Sequence, residues 1–255
     1  MQLARTLGIL RSLALYYGVP FRMGRMRELY SGLISAGGLC FDVGAHVGNR
    51  LRCFRSMGAR VVALEPQPDF ALILRRLYGR DPNVTIVEAA VGAAPGVATL
   101  LTSVRTPTVT SLSPRWVEQV GSTSGFRHVD WTPGPAVPMT TLDALVVQHG
   151  VPDFVKIDVE GLEPAVLAGL SRALPALSFE FLPAAKDQAA ACIDRLASLG
   201  EYRYNWSLGE TSRFGSPLWV DAKQARDWLA GLKADTDSGD LYARAAEQPP
   251  QRPCP

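Results

Sequence analysis

The feature that most constrains this chain is an alternation. Between residues 39 and 199, short apolar runs take turns with segments of helical periodicity. Strands are predicted at 39–43, 60–64, 84–91, 96–101, 154–159 and 177–181. Helices are predicted at 48–57, 68–78, 141–149, 164–174, 186–199 and, further on, 221–232. Such an order builds a mostly parallel sheet with helices on both faces. The runs at 84–91 and 96–101 are expected to pair as a hairpin through Ala94-Pro95-Gly96, and 202–206 with 217–220 as a closing antiparallel pair. Ligands of open parallel sheets sit outside the carboxyl ends of the strands. That places the site after Val43, Leu64, Ala90, Ile157 and Phe179.

The flanks read differently. Residues 1–37 form an N-terminal helical arm, with helices at 1–17 and 25–35. Its arginines, Arg5, Arg11, Arg22, Arg25 and Arg27, suit a solvated helix face or a basic rim toward an anionic or lipid-linked acceptor. The first stretch is interrupted by Arg5 and Arg11, so neither a signal peptide nor a transmembrane segment is expected. The main domain spans 38–233. Within it, 102–139 is rich in Ser, Thr, Pro and Gly and reads as an acceptor-side lid with one short helix at 115–120. The polar, proline-rich tail 234–255 is expected to be disordered. A net charge of +2 is too small to argue for nucleic acid or a membrane surface. Cys40, Cys53, Cys192 and Cys254 form no CxxC pair, which fits a reducing cytoplasm and no zinc site. Oligomeric state leaves no trace in the sequence.

Two motifs carry chemistry. In Phe41-Asp42-Val43-Gly44-Ala45-His46-Val47-Gly48-Asn49, a strand runs through a glycine turn into a helix. Gly44 permits a backbone conformation that a Cβ forbids, and Gly48 lets a ligand approach the helix start. Glu65, at the end of the next strand, can accept hydrogen bonds from ribose hydroxyls. This pattern serves nicotinamide cofactors and S-adenosylmethionine alike. The glycines run Gly44-x-x-x-Gly48 rather than G-x-G-x-x-G, which favours a ligand without a pyrophosphate. Asp42 is placed to order waters or backbone nearby, and His46 to fill space.

The second motif is Val155-Lys156-Ile157-Asp158-Val159-Glu160-Gly161-Leu162-Glu163. Lys156, Asp158 and Glu160 alternate onto one face of a buried strand whose end meets the cleft. Asp158 or Glu160 is a candidate base, and Glu180, ending the next strand, a second acid. Lys156 can neutralise these acids or orient an acceptor. Asp158 and Glu180 at adjacent strand ends are alternatively ligands for Mg²⁺. His128 is a lesser candidate base.

With Glu65-Pro66, Glu88-Ala89-Ala90-Val91-Gly92 and Thr141-Leu142-Asp143, these runs resemble the FkbM family of methyltransferases over residues 38–181. The resemblance implies a class I methyltransferase Rossmann-like α/β fold. Its mostly parallel seven-stranded sheet would have an antiparallel edge pair. It implies an S-adenosylmethionine-dependent O-methyltransferase acting on a hydroxyl of a sugar, glycolipid, polysaccharide or polyketide-like product, not on nucleic acid. By position, Asp42, Gly44, Ala45 and Gly48 would line the methionine side of the cofactor, Glu65 the ribose, Glu88 and Ala89 the adenine, and Asp158 the sulfonium. Ser111, in the lid, would return to the cofactor. The family often carries Asn where this chain has His46. The rival expectations are an NAD(P)-dependent oxidoreductase and a non-catalytic cofactor-binding scaffold.

Overall fold

The computed structural model describes residues 21–246, except 104, 105, 107, 108 and 124. The predicted helix at 1–17, residues 247–255 and Cys254 lie outside the described residues. The alternation folds as expected at its centre. Strands β1 (Leu39–Val43), β2 (Arg60–Leu64) and β3 (Val84–Val87) alternate with helices α1 (Arg22–Tyr30), α2 (Asn49–Ser56) and α3 (Pro68–Tyr78). Then come β4 (Ala90–Val91), β5 (Gly96–Thr102), α4 (Pro114–Gly121), β6 (Thr132–Thr140) and α5 (Leu142–His149). The chain continues through β7 (Phe154–Ile157), α6 (Glu163–Ala168), β8 (Ala176–Phe181), α7 (Lys186–Leu199), β9 (Tyr202–Leu208), α8 (Ala222–Gly231) and β10 (Gly239–Ala245).

Seven strands form one sheet in the order β3-β2-β1-β7-β8-β10-β9. Every pairing from β3 to β8 is parallel, and β10 runs antiparallel to both neighbours. One core packs α5, α6, α7 and α8 on one face, around Phe41, Ile157, Phe179 and Ile193. The other packs α1 and α2, around Tyr30, Phe54 and Phe154. Fully buried central strands such as Leu39–Val43 follow from this two-sided cover. The motif Thr141-Leu142-Asp143 is structural. Thr141 Oγ1 accepts from Ala144 N and caps α5, while Asp143 Oδ1 accepts from Ser171 N beyond α6. Cys40, Cys53 and Cys192 are free thiols and buried. Among the described residues no helix is long and apolar enough to cross a membrane.

Three expectations are corrected. The partner of β9 is not 217–220, which touches it only through a Tyr204–Val220 bridge, but β10. That strand lies in the tail read as disordered. Its sequence looks polar because Asp240 is buried on a charge partner rather than in water. The hairpin of 84–91 with 96–101 does not form either. β4 and β5 lie on opposite sides of β6 in a three-stranded sheet of order β4-β6-β5. β6 itself, inside the presumed lid, was hidden by Pro133, Pro135 and Pro138. Proline donates no ladder bond, and these three stand outside the two-residue run that pairs with β4. The short helix of the lid is present as α4.

Candidate active site

The glycine turn after β1 is set by backbone sterics. Gly44 has φ 84°, and a Cβ there would lie 1.8 Å from the carbonyl oxygen of Asp158. Only glycine allows the ends of β1 and β7 to approach so closely. The N–H groups of Gly44 and Ala45 both donate to Leu64 O, which fixes the turn against β2. Gly48 (φ 85°) is the N-cap of α2 and offers no side chain. Asp42 replaces that cap from the strand below: its Oδ2 accepts from Leu51 N at 2.9 Å. Asp42 is buried, and burial pushes its pKa up to about 7. Asp42 and Gly48 therefore shape the turn from beneath and do not line the cleft.

Glu65 is buried at the cleft wall. Its Oε2 accepts from His46 N and its Oε1 from Gln67 N, both at 2.8 Å. Burial pushes its pKa up to about 7 against those two hydrogen bonds. Each carboxylate oxygen has a further lone pair, so a rigidly held acceptor pair remains for a diol. His46 packs its ring 4.1 Å from that of Phe70, and burial pushes its pKa down to about 4. Ala89 lines the cleft, but Glu88 does not. β3 ends at Val87, and the Glu88 carboxylate turns to Arg75 on α3 at 2.5 Å, away from the expected adenine slot.

The second motif ends β7 in a turn tighter than strand alternation suggests. β7 stops at Ile157, Glu160 has φ 52° and Gly161 φ 91°. Glu163 holds this turn: its Oε1 accepts from Val159 N and its Oε2 from Gly161 N, each at 3.0 Å. Burial pushes Glu163 up to about 7. From the lid, Ser111 Oγ donates to Glu160 O at 2.6 Å, and Trp116 packs where a Cβ on Gly161 would stand.

This turn brings Asp158, Glu160 and Glu180 together, with one oxygen of each within 4.8 Å of the others. All three line the cleft and are half-buried. Burial, then the charge of neighbouring acids, pushes Glu160 and Glu180 well above the carboxylate range. Lys156 lies underneath, fully buried, with Nζ 2.5 Å from Asp240 Oδ1 and 3.3 Å from Asp158 Oδ2. Burial opposes its charge, but Asp158 and Asp240 outweigh burial and hold the ammonium protonated. Lys156 is thus held beneath the cleft between Asp158 and Asp240. Asp240 was missed because it sits in the presumed tail; Arg50 and Glu210, which also line the cleft, carry no motif.

The cleft lies over the carboxyl ends of β1, β2, β7 and β8, with a volume of about 1090 Å³ including its open mouth. Of the expected site residues it brings together Gly44, Ala45, Glu65, Ala89, Ser111, Asp158, Glu160 and Glu180. His128 is exposed outside it, and none of Trp116, Trp131, Tyr202, Tyr204 and Trp206 lines it. Tyr202 instead bonds the backbone of Leu174, and Trp206 stacks on Trp228.

Sheet order and cleft make a Rossmann-like α/β architecture, a mostly parallel sheet with its site over the strands' carboxyl ends. The Methyltransferase FkbM domain matches residues 42–230, and the chain belongs to that family. No curated protein matches. Among solved structures, a precorrin-6y C5,15-methyltransferase from Geobacter metallireducens is 14% identical, with 87% of this chain and 86% of that chain covered and a TM-score of 0.45. A TehB-like SAM-dependent methyltransferase from Corynebacterium glutamicum is 10% identical, covering 92% and 94%, with a TM-score of 0.46. Aeropyrum pernix fibrillarin, with natively bound S-adenosyl-L-methionine, is 10% identical, covering 83% and 68%, with a TM-score of 0.43.

Proposed function

We propose that this chain transfers a methyl group from S-adenosylmethionine to a hydroxyl of a sugar, glycolipid, polysaccharide or polyketide-like product. The observation that carries the reading is the convergence of Asp158, Glu160 and Glu180 in the same cleft that Glu65 and the Gly44 turn build. The residues present fit the donor. Glu65 offers two fixed acceptors for a ribose diol, and Ala89, Leu64 and Leu100 give an apolar slot for a base. The donor, when bound, supplies an electrophilic methyl on a sulfonium, so the protein must align an oxygen and remove its proton.

Asp158 is tied to Lys156 beside the reacting centre. Glu160 and Glu180 form no salt bridge among the described residues and hold their proton to higher pH, so this pair is the base. Two acids so close titrate as a unit. The hydroxyl proton would pass to that pair as the new O–C bond forms and the methyl's S–C bond breaks, its electron pair leaving on a neutral thioether, and solvent would later take the proton through the cleft mouth. Ser111 and Trp116 keep the Glu160 turn in register from the lid side.

A second reading rests on the same three oxygens. Asp158 and Glu180, with Glu160, present a hard donor set of the kind Mg²⁺ takes. A cation there would lower the pKa of an acceptor hydroxyl. Turnover lost in chelator and restored by Mg²⁺ selects this version, and chelator-insensitive turnover removes it. The test of the function itself is transfer of labelled methyl from S-adenosylmethionine to a panel of polyols and glycans. Methyl ethers among the products support it. Label only on nitrogen or carbon overturns O-methylation, and cofactor binding without turnover on any acceptor favours the scaffold reading.

A further inference from the structure

The cleft is acidic but for one group. Among the described residues, five carboxylates line it, from Glu65, Asp158, Glu160, Glu180 and Glu210, against a single arginine, Arg50, and no lysine. Arg50 sits in the first turn of α2, directly after the glycine turn. Its side chain is 16% exposed. A cation so placed has to be held by carboxylates or used by a ligand.

The protein's own carboxylates engage it only partly. Among the described residues its one hydrogen bond runs from Nη2 to Asp240 Oδ2, long at 3.4 Å. Glu210 Oε2 stands 3.7 Å from the same nitrogen, outside hydrogen-bond range. Asp240 is already committed, with Oδ1 on Lys156 and Oδ2 shared with the Tyr242 hydroxyl at 3.3 Å. Nε and Nη1 of the guanidinium therefore keep donors for an incoming group. A planar fork of N–H donors recognises a carboxylate through two parallel bonds. Position supports the same conclusion. Arg50 reaches Asp240 on β10, whereas Glu65 follows β2, so the two stand toward opposite ends of the cleft.

We infer that Arg50 is the receptor for the carboxylate of the donor's amino-acid end; Glu210 is held by Arg22 and does not compete for it. This rests on the S-adenosylmethionine reading and assigns the end of the ligand that Glu65 does not hold. Arg50 is a binding residue here and takes no part in proton removal.

The test is calorimetric titration of the full chain with S-adenosylhomocysteine and with its decarboxylated analogue, which differs only in the carboxylate. Wild type is expected to bind the decarboxylated analogue about 10- to 100-fold more weakly, the range for hydrogen bonds to a charged partner. In Arg50→Met that preference vanishes: S-adenosylhomocysteine falls to the affinity of the analogue, and the analogue is unchanged. Binding of the analogue also shows that the variant is folded. Should Arg50→Met bind neither ligand, Arg50→Lys decides, because it keeps the charge but loses the fork. An intermediate preference supports the assignment, and an undiminished one overturns it. Equal binding of both ligands by wild type overturns the role of Arg50 and leaves the cofactor reading standing. No binding of either by wild type sinks the cofactor reading itself.

Discussion

At the scale of single residues, the motifs encode turns as much as chemistry. Gly44 is required by an oxygen 1.8 Å from where its Cβ would be, and by a left-handed φ. Gly44→Ala should cost about 1–3 kcal/mol and weaken S-adenosylhomocysteine binding, read by thermal unfolding and titration. A variant with wild-type stability and affinity would show that the β1–β7 approach is unimportant. The Glu160–Glu180 pair predicts a pH effect of definite sign. A base works deprotonated, so kcat/KM should rise with pH through an apparent pKa well above the carboxylate range. Glu180→Gln should lower kcat by about 10²- to 10⁴-fold. A rate independent of pH from about 5 to 9 would exclude these carboxylates as the base. The sequence made Asp158, Glu160 and Glu180 visible because strand ends with acids are rare in an apolar pattern. It hid Arg50, Glu210 and Asp240 because an isolated charge in a helix, loop or tail looks like solvated surface.

At the scale of elements, propensity misled where tertiary pairing took over. The three prolines of β6 argue against a strand, yet all of them stand outside the Met139–Thr140 run that pairs with β4. β4, only two residues long, could not be separated from β3 by pattern, because only Glu88 and Ala89 stand between Val87 and Ala90. Helix α4 answers to the short helix expected at 115–120, and the structure starts it at Ser113-Pro114, a cap followed by proline in the first turn. The segment before α4 meets the turn after β7 through the Ser111 hydroxyl bond to Glu160 O. Ser111→Ala should remove about 1 kcal/mol of that attachment. Faster hydrogen exchange across 109–121 and at Glu160–Gly161, with little change in global unfolding, is the expected result. Unchanged exchange there would mean that Trp116 alone holds the lid.

At the scale of the whole molecule, the buried charge network ties the last strand to the first motif. Lys156 on β7 meets Asp240 on β10, and Asp240 meets Arg50 on α2. A chain ending before Gly239 should fail to fold cooperatively, because β10 separates β8 from β9 and supplies the Lys156 partner. A sharp melt at the wild-type temperature would contradict this. Burial also gives the fold a pH signature. Asp42, Glu65 and Glu163 are raised to about 7 in the folded state, above their unfolded values. Between the two values the folded state binds more protons, so stability is full at the acid side and falls as pH rises through about 7. Melting temperatures should be higher near pH 5 than near pH 8, with the difference reduced in Glu163→Gln. The parallel half of the sheet was readable from alternation alone. The strand order beyond β8 was not, because a polar tail gives no sign of the partner that buries it.

The most direct measurement is titration of the wild-type protein and Glu65→Ala with S-adenosylhomocysteine and with NADH, each protein checked by thermal unfolding. Wild type should bind S-adenosylhomocysteine and not NADH, and a folded Glu65→Ala should lose most of that affinity. Binding of NADH with none of S-adenosylhomocysteine would contradict methyl transfer and return the glycine turn to a dinucleotide.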